Sequence, residues 1–88
     1  MTERQSKVAD AWKKAYAEIA EFWPNDPHSS IEALRVFAPA MFGKVMEAEA
    51  AAEEASVRWM NGGAGGVQVA INLWRDTWRE AVEVLQHG

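Results

Sequence analysis

A glycine-rich stretch, WMNGGAGG at residues 59–66, has the composition of a phosphate-binding loop. A Walker-type loop needs Lys followed by Ser or Thr after its last glycine, whereas Val67 and Gln68 follow here. A dinucleotide-binding loop needs a glycine at Gln68 and a strand ahead of the stretch, where the sequence predicts a helix. We interpret the stretch as a turn between two helices, with Asn61 or Gly62 as a left-handed cap. The backbone N–H groups that open the next helix leave weak anion binding as the alternative.

Two histidines are the next residues that could carry chemistry. His28 has Glu32 four residues on, but a general base needs an orienting partner and a pocket, and a metal needs three or more converging ligands. His87 stands near the end of the sequence. No cysteine is present, which excludes a thiol nucleophile and a thiolate metal site. We interpret both histidines as solvated and predict a protein with no enzymatic activity, no cofactor and no metal.

The acidic run comprises Glu47, Glu49, Glu53 and Glu54. Glu49 and Glu53 share one face of a helix, so the run could bind a cation or imitate DNA phosphates. The alternative is a solvated helix face, which we favour because a net charge of −4 is mild for a mimic and no Glu-x-x-His signature of a di-metal site is present. The basic residues are scattered, which argues against binding to nucleic acid.

Hydrophobic periodicity predicts a single all-α domain, a small bundle of three long helices and one short helix that a proline interrupts. Thr2 and Gln5 form a capping box at the first helix start, and Ser29 and Glu32 form another at the second. Pro39 suits the first position of a new helix. The predicted helices cover about residues 3–23, 30–38, 39–60 and 66–86.

The third and fourth helices carry matching apolar seams on either side of the glycine turn. In both, apolar residues recur at alternating steps of four and three, the heptad repeat of helices packed at a shallow angle. The seam positions are Met41, Val45, Ala48, Ala52, Ala55 and Trp59 in the third helix, and Val67, Ile71, Trp74, Trp78, Ala81 and Leu85 in the fourth. The matching repeats predict an antiparallel helix hairpin.

The chain has more large apolar residues than a slender bundle can bury. Five of its 88 residues are Trp, which is favoured in cores and at interface hot spots. The surplus predicts a surface for a second chain, with arginines beside the tryptophans of the fourth helix. The predicted partner-binding residues are Phe37, Met41, Phe42, Met46, Trp59, Trp74, Trp78, Arg75 and Arg79.

These patterns favour a non-enzymatic helical interaction protein that binds or occludes another protein. It would act as an adaptor, an assembly factor or a small inhibitor of the kind found among phage and mobile-element proteins. We expect a homodimer, which would cover part of the apolar surplus, and a cytoplasmic location, because the sequence shows neither a signal region nor an apolar stretch long enough to cross a membrane. The alternative is a protein that binds lipid or another apolar surface by opening the amphipathic face of the first helix, which Lys13 and Lys14 flank.

Overall fold

Four α-helices make up the computed structural model, which describes residues 2–23 and 27–87 without the side chains of residues 27–30. The helices are α1 (Glu3–Phe22), α2 (Pro27–Phe37), α3 (Pro39–Met60) and α4 (Val67–His87). The described residues contain no β-strand, so the predicted all-α bundle with a proline-interrupted helix is confirmed. The bundle is slender, with principal extents of 42 × 22 × 17 Å, because three of its helices each run most of its length.

Local hydrogen bonds and a proline define the ends of α1. Thr2 Oγ1 accepts a bond from the Gln5 backbone N–H at 3.1 Å, and Gln5 Oε1 accepts one from the Thr2 N–H at 2.9 Å. These two bonds confirm the predicted capping box. Trp23 follows the helix in an extended conformation, because a proline at position 24 disfavours helical backbone in the residue ahead of it.

The start of α2 differs from the prediction. The helix begins at Pro27, so Ser29 lies inside it and is not its cap, and His28, expected in a loop, lies in its first turn. Proline is favoured there because its fixed φ fits the helix and its missing N–H would have no partner. The side chains of Ser29 and His28 lie outside the described part of the chain. Pro39 is confirmed at the start of α3, where the backbone of Ala38 departs from helical geometry.

The antiparallel hairpin of α3 and α4 is confirmed, and α1 covers one side of it. At the turn, the Gly63 N–H donates to the Arg58 carbonyl at 2.9 Å and the Gly62 N–H donates to the Trp59 carbonyl at 3.0 Å. This pair of bonds is a Schellman cap. Gly62 has a φ of +94° and Asn61 a φ of −89°, so Gly62 is the left-handed residue of the two that the sequence allowed.

The core follows the predicted seams except near the end of α3. There Ala55, a predicted seam residue, is only half-buried, whereas Ser56 is buried. An α-helix turns every 3.6 residues, so a 3.5-residue seam drifts by about 20° per heptad and the next inward position after Ala52 becomes Ser56. Ser56 Oγ donates to the Ala52 carbonyl at 2.7 Å and accepts from the Trp12 indole N–H at 3.0 Å. The buried hydroxyl is therefore fully paired.

We expect Gly62→Ala to lower the free energy of unfolding by about 1–2 kcal/mol, because an L side chain at this positive φ is strained even though the surrounding space is open. Gly65→Ala is the matched control, since Gly65 lies in the same turn with open space around it and no positive φ. Its effect should stay within about 0.5 kcal/mol. Urea denaturation followed by circular dichroism measures both variants. An equal loss in the two would contradict the role of Gly62 as the left-handed cap.

Candidate functional site

Most residues predicted to bind a partner lie in or against the core instead of on one surface. Met41, Trp74 and Trp78 are core residues, with Trp74 only 2% exposed. Phe42 and Trp59 are half-buried and pack against that core. These five side chains stabilise the bundle and offer little area to a second chain.

Phe37 and Met46 are the two predicted anchors that remain in solvent, with exposed fractions of 79% and 40%. Phe37 ends α2 and lines a shallow hollow with Val84 and Leu85 of α4. Met46 does not line this hollow. Phe37 is therefore the one of the two that lies next to apolar side chains of α4.

The two predicted arginines attach α1 to α4. Arg75 Nη1 donates to Glu18 Oε2 at 2.6 Å, and its Nη2 donates to Asp76 Oδ1 at 3.1 Å. The Arg79 guanidinium lies over the Phe22 ring, 5.1 Å from its centroid, in cation–π geometry. Both guanidinium groups are therefore already engaged within the chain.

The side of the hairpin opposite α1 carries an exposed apolar strip, which we call the outer face. It consists of Ala51 on α3, Val69, Leu73 and Val84 on α4, and Phe37 at the end of α2, and the buried Ala48 and half-buried Thr77 line a hollow in it. Val69 and Leu73 are 73% and 58% exposed. Leu73 stands two residues before Arg75, about 200° around the helix at 3.6 residues per turn, so it points away from α1. The chain therefore leaves several large apolar side chains of this side in water.

Charged residues border a hollow of about 290 Å³ in the middle of the outer face. Lys44 Nζ lies 3.8 Å from Glu80 Oε1 across the two helices. Arg58, farther along α3, lies 3.7 Å from Glu54. Glu47 also lines the hollow and has no cation within salt-bridge distance among the described residues. Both cations on this side are paired, so the remaining charge of the face is negative.

A second concave site, which we call the indole cavity, lies where the four helices meet. It has a volume of about 160 Å³ and is lined by Tyr16, Ile19, Ala20, Trp23, Ile31, Glu49, Trp74 and Trp78. The Tyr16 and Trp74 ring centroids are 5.2 Å apart with the planes at 75°, and those of Trp23 and Trp78 are 6.0 Å apart with the planes at 55°. Four aromatic rings therefore frame the space at angles that favour edge-to-face contact.

Glu49 is the one charged residue among those that line the indole cavity. Burial raises the pKa of its carboxyl above the ordinary value, and the Glu53 carboxylate raises it further. Burial also raises the pKa of the Tyr16 phenol, with Glu49 and Glu53 adding to the shift. Glu49 therefore differs from the solvated face predicted for the acidic run, while Glu47, Glu53 and Glu54 are exposed as predicted.

Sequence reasoning missed Val69 and Leu73 of the outer face, although a signal for them exists. Val69 and Leu73 are four residues apart and lie off the buried seam of α4, which is the pattern of an exposed apolar stripe. No comparable signal marks Glu49. Its burial results from the way α1 and α2 cross α3, and sequence spacing does not fix that crossing.

The free energy of unfolding should fall as the pH rises through the pKa of Glu49. A carboxyl whose pKa is raised by folding binds its proton more tightly in the folded state, so its contribution is fully present below the ordinary value of 4.5 and is lost above the folded-state pKa. Wild type should therefore lose stability relative to Glu49→Gln as the pH rises above 4.5, in urea denaturation. Glu47→Gln, on the same helix but outside the cavity, is the reference variant. A constant difference between wild type and Glu49→Gln would contradict this prediction.

Neither metal binding nor membrane crossing is indicated by the described part of the chain. It brings no group of three or more His, Asp or Glu residues together to hold a metal ion. None of its helices combines the length and the apolar character needed to span a bilayer. The chain matches no protein-family model, no curated protein and no solved structure. Its function must therefore be inferred from its own surfaces, of which the outer face and the indole cavity are the candidates.

Proposed function

We propose that this chain is a helical interaction module that binds another protein through its outer face, without catalysis. The observation that carries the proposal is the exposure of Val69 and Leu73 on a helix whose opposite side is covered by α1. Burying a Val or Leu side chain contributes about 1.5–3 kcal/mol. Two such side chains one turn apart therefore give a partner a substantial gain in free energy on binding.

The shape of the outer face suits a helix of the partner. Ala48 and Ala51 are short, so a helix can approach α3 closely, while Leu73 forms a wall on the α4 side of the hollow. The other side of the hairpin already holds a helix, α1, in contact with both α3 and α4. Phe37 extends the contact beyond the hollow, and large aromatic side chains of this kind commonly dominate binding energy.

The charge of the outer face favours a basic amphipathic helix as the occupant. Lys44 is paired with Glu80 inside the chain, whereas Glu47 at the same hollow has no described cation beside it. The whole chain carries a net charge of −4. A partner helix with Lys or Arg beside its apolar stripe would complement this border and would be steered toward it at low ionic strength.

A second copy of the chain is the competing occupant. Two copies that met through the outer face would each bring to the interface a Glu47 with no described cation beside it, and like charges across an interface disfavour association. The homodimer expected from the sequence is therefore the less favoured use of this surface. Light scattering over a wide concentration range measures the mass of the protein in solution, and we expect the mass of a monomer.

Leu73→Glu should abolish partner binding while leaving the helical content and the unfolding transition unchanged. The variant places a third carboxylate at the hollow and removes its apolar wall, and a surface change of this kind usually alters stability by less than about 0.5 kcal/mol. Val57→Glu is the matched control, because Val57 is also exposed, at 54%, but lies on the far side of α3. The measurement is capture of proteins from source lysate by the three immobilised chains, followed by cross-linking from position 73.

The proposal requires one protein that wild type and Val57→Glu retain, that Leu73→Glu loses, and that cross-links through a basic helix. Its retention should also weaken as salt rises, because exposed charges are screened within about 10 Å at 0.1 M salt. Equal retention by all three chains would show that the outer face is not the binding surface. A dimer that Leu73→Glu dissociates would show that the occupant is a second copy instead.

A further inference from the structure

The walls of the indole cavity are mostly aromatic and aliphatic. Its aromatic residues are Tyr16, Trp23, Trp74 and Trp78, its aliphatic residues are Ile19, Ala20 and Ile31, and its charged residue is Glu49. None of these lining residues is basic. A ligand in this space therefore meets the half-exposed ring of Tyr16, the small exposed parts of the three indoles and one carboxyl group, which favour a cation over an anion.

The indole N–H groups of Trp23 and Trp74 do not change this polarity. The Nε1 atoms of Trp23 and Trp74 are buried without a hydrogen-bond partner and are closed off from solvent. The cavity is open to solvent, so an N–H pointing into it would be accessible. Trp23 and Trp74 therefore present ring carbon to the cavity and not their N–H donors.

Glu49 supplies a negative charge that nothing in the described chain neutralises. No Lys, Arg or His side chain among the described residues lies within salt-bridge distance of it, and Glu53, one turn away, is also acidic. Its half-buried position means that water screens this charge less than it would on an open surface. A cation in the cavity would lie beside both the carboxylate and the aromatic rings.

The size of the cavity selects among cations. A cavity of about 150 Å³ in another protein holds benzene, and a trimethylammonium head has fewer non-hydrogen atoms than benzene. Methyl groups also make such a head less strongly hydrated than a bare ammonium, so it loses less when it enters an apolar space. Aromatic enclosures are the usual protein sites for quaternary ammonium groups.

We propose that the indole cavity binds a trimethylammonium head group between its aromatic rings, with Glu49 as the counter-ion. The head can belong to a free small molecule or to a methylated lysine on another protein, since both present the same group. This site is independent of the outer face, which lies on the other side of the hairpin. A variant that loses binding at one of these two sites would keep binding at the other.

Choline is the probe for a ligand that is a free small molecule. Titration into the labelled wild-type chain should shift the indole N–H resonances of Trp23, Trp74 and Trp78 in a two-dimensional NMR spectrum, with an affinity in roughly the millimolar range expected for so small a ligand. Trp59 is an internal control, because it lies at the other end of the bundle under Arg4. The uncharged isostere of choline, with carbon in place of nitrogen, should bind at least about tenfold more weakly if charge matters.

Glu49→Gln should weaken choline binding roughly tenfold, the factor that corresponds to about 1.4 kcal/mol. Glu47→Gln on the same helix should bind like wild type, because Glu47 does not line the cavity. The unfolding transition of each variant confirms that it is folded. A peptide that contains trimethyl-lysine is titrated in parallel, and binding of the peptide but not of choline would assign the head group to a protein partner.

Three results would overturn the proposal. One is the absence of resonance shifts with both choline and the peptide. Another is equal binding of choline and its uncharged isostere, which would indicate an apolar cleft with no preference for charge. The third is unchanged choline binding in Glu49→Gln. Because none of these measurements involves Leu73, they are separate from the test of the outer face.

Discussion

The difference in size between the core side chains of α3 and those of α4 is the constraint on which the rest of the structure depends. At the centre of the hairpin, α3 contributes Ala48 and Ala52, while α4 contributes Trp74 and Trp78. Because alanine ends at Cβ, α3 leaves room for both indoles. The rings reach α1, where the centroid of Trp74 lies 4.9 Å from that of Trp12. Aromatic contacts of this kind bury large areas, so they determine where α1 packs.

The same arrangement makes the two sides of the hairpin unequal. The α1 side has the indoles, the paired hydroxyl of Ser56 and the Arg75–Glu18 ion pair, and is covered. The opposite side has alanines and one ridge of exposed apolar residues around Leu73. Opening α1 to bind lipid would separate Trp12 from Trp74 and from Ser56, so this alternative would disrupt the best-packed contacts of the chain. The outer face can accept a partner without any such change.

Most parts of the fold that depend on local chemistry could be predicted from the sequence, although the start of α2 at Pro27 was missed and the left-handed cap was left open between Asn61 and Gly62. The capping box at Thr2, the helix start at Pro39 and the left-handed Gly62 each need only neighbouring residues, and the heptad seams identify the hairpin. The parts that depend on how helices cross could not be predicted. The placement of Ser56 under Trp12 and the half-burial of Glu49 require the positions of α1 and α2, which are distant in sequence.

The candidate sites also contain a part that the sequence predicted and a part that it did not. Counting tryptophans led to the expectation that some large apolar residues cover a second chain, but a large ring buries more area in a core than any other side chain, and Trp74 and Trp78 lie inside. The exposed strip consists instead of ordinary aliphatic residues, Val69 and Leu73, that the heptad seam does not include. Phe37 is the predicted anchor that the fold leaves exposed beside that strip, because α2 ends there and Ala38 turns the chain into α3.

The indole N–H groups differ in whether they have a hydrogen-bond acceptor, and the two that have none belong to residues that line the indole cavity. Trp12 has Ser56 as its acceptor, whereas Trp23 and Trp74 have none, and a buried donor without a partner costs about 1–3 kcal/mol. Phenylalanine at either position would avoid that cost while still filling most of the space. What tryptophan offers beyond phenylalanine is a wider ring with a stronger attraction for cations. Trp23 and Trp74 both line the indole cavity. The two positions with an unpaired indole N–H are therefore also positions where an indole ring borders the proposed cation site.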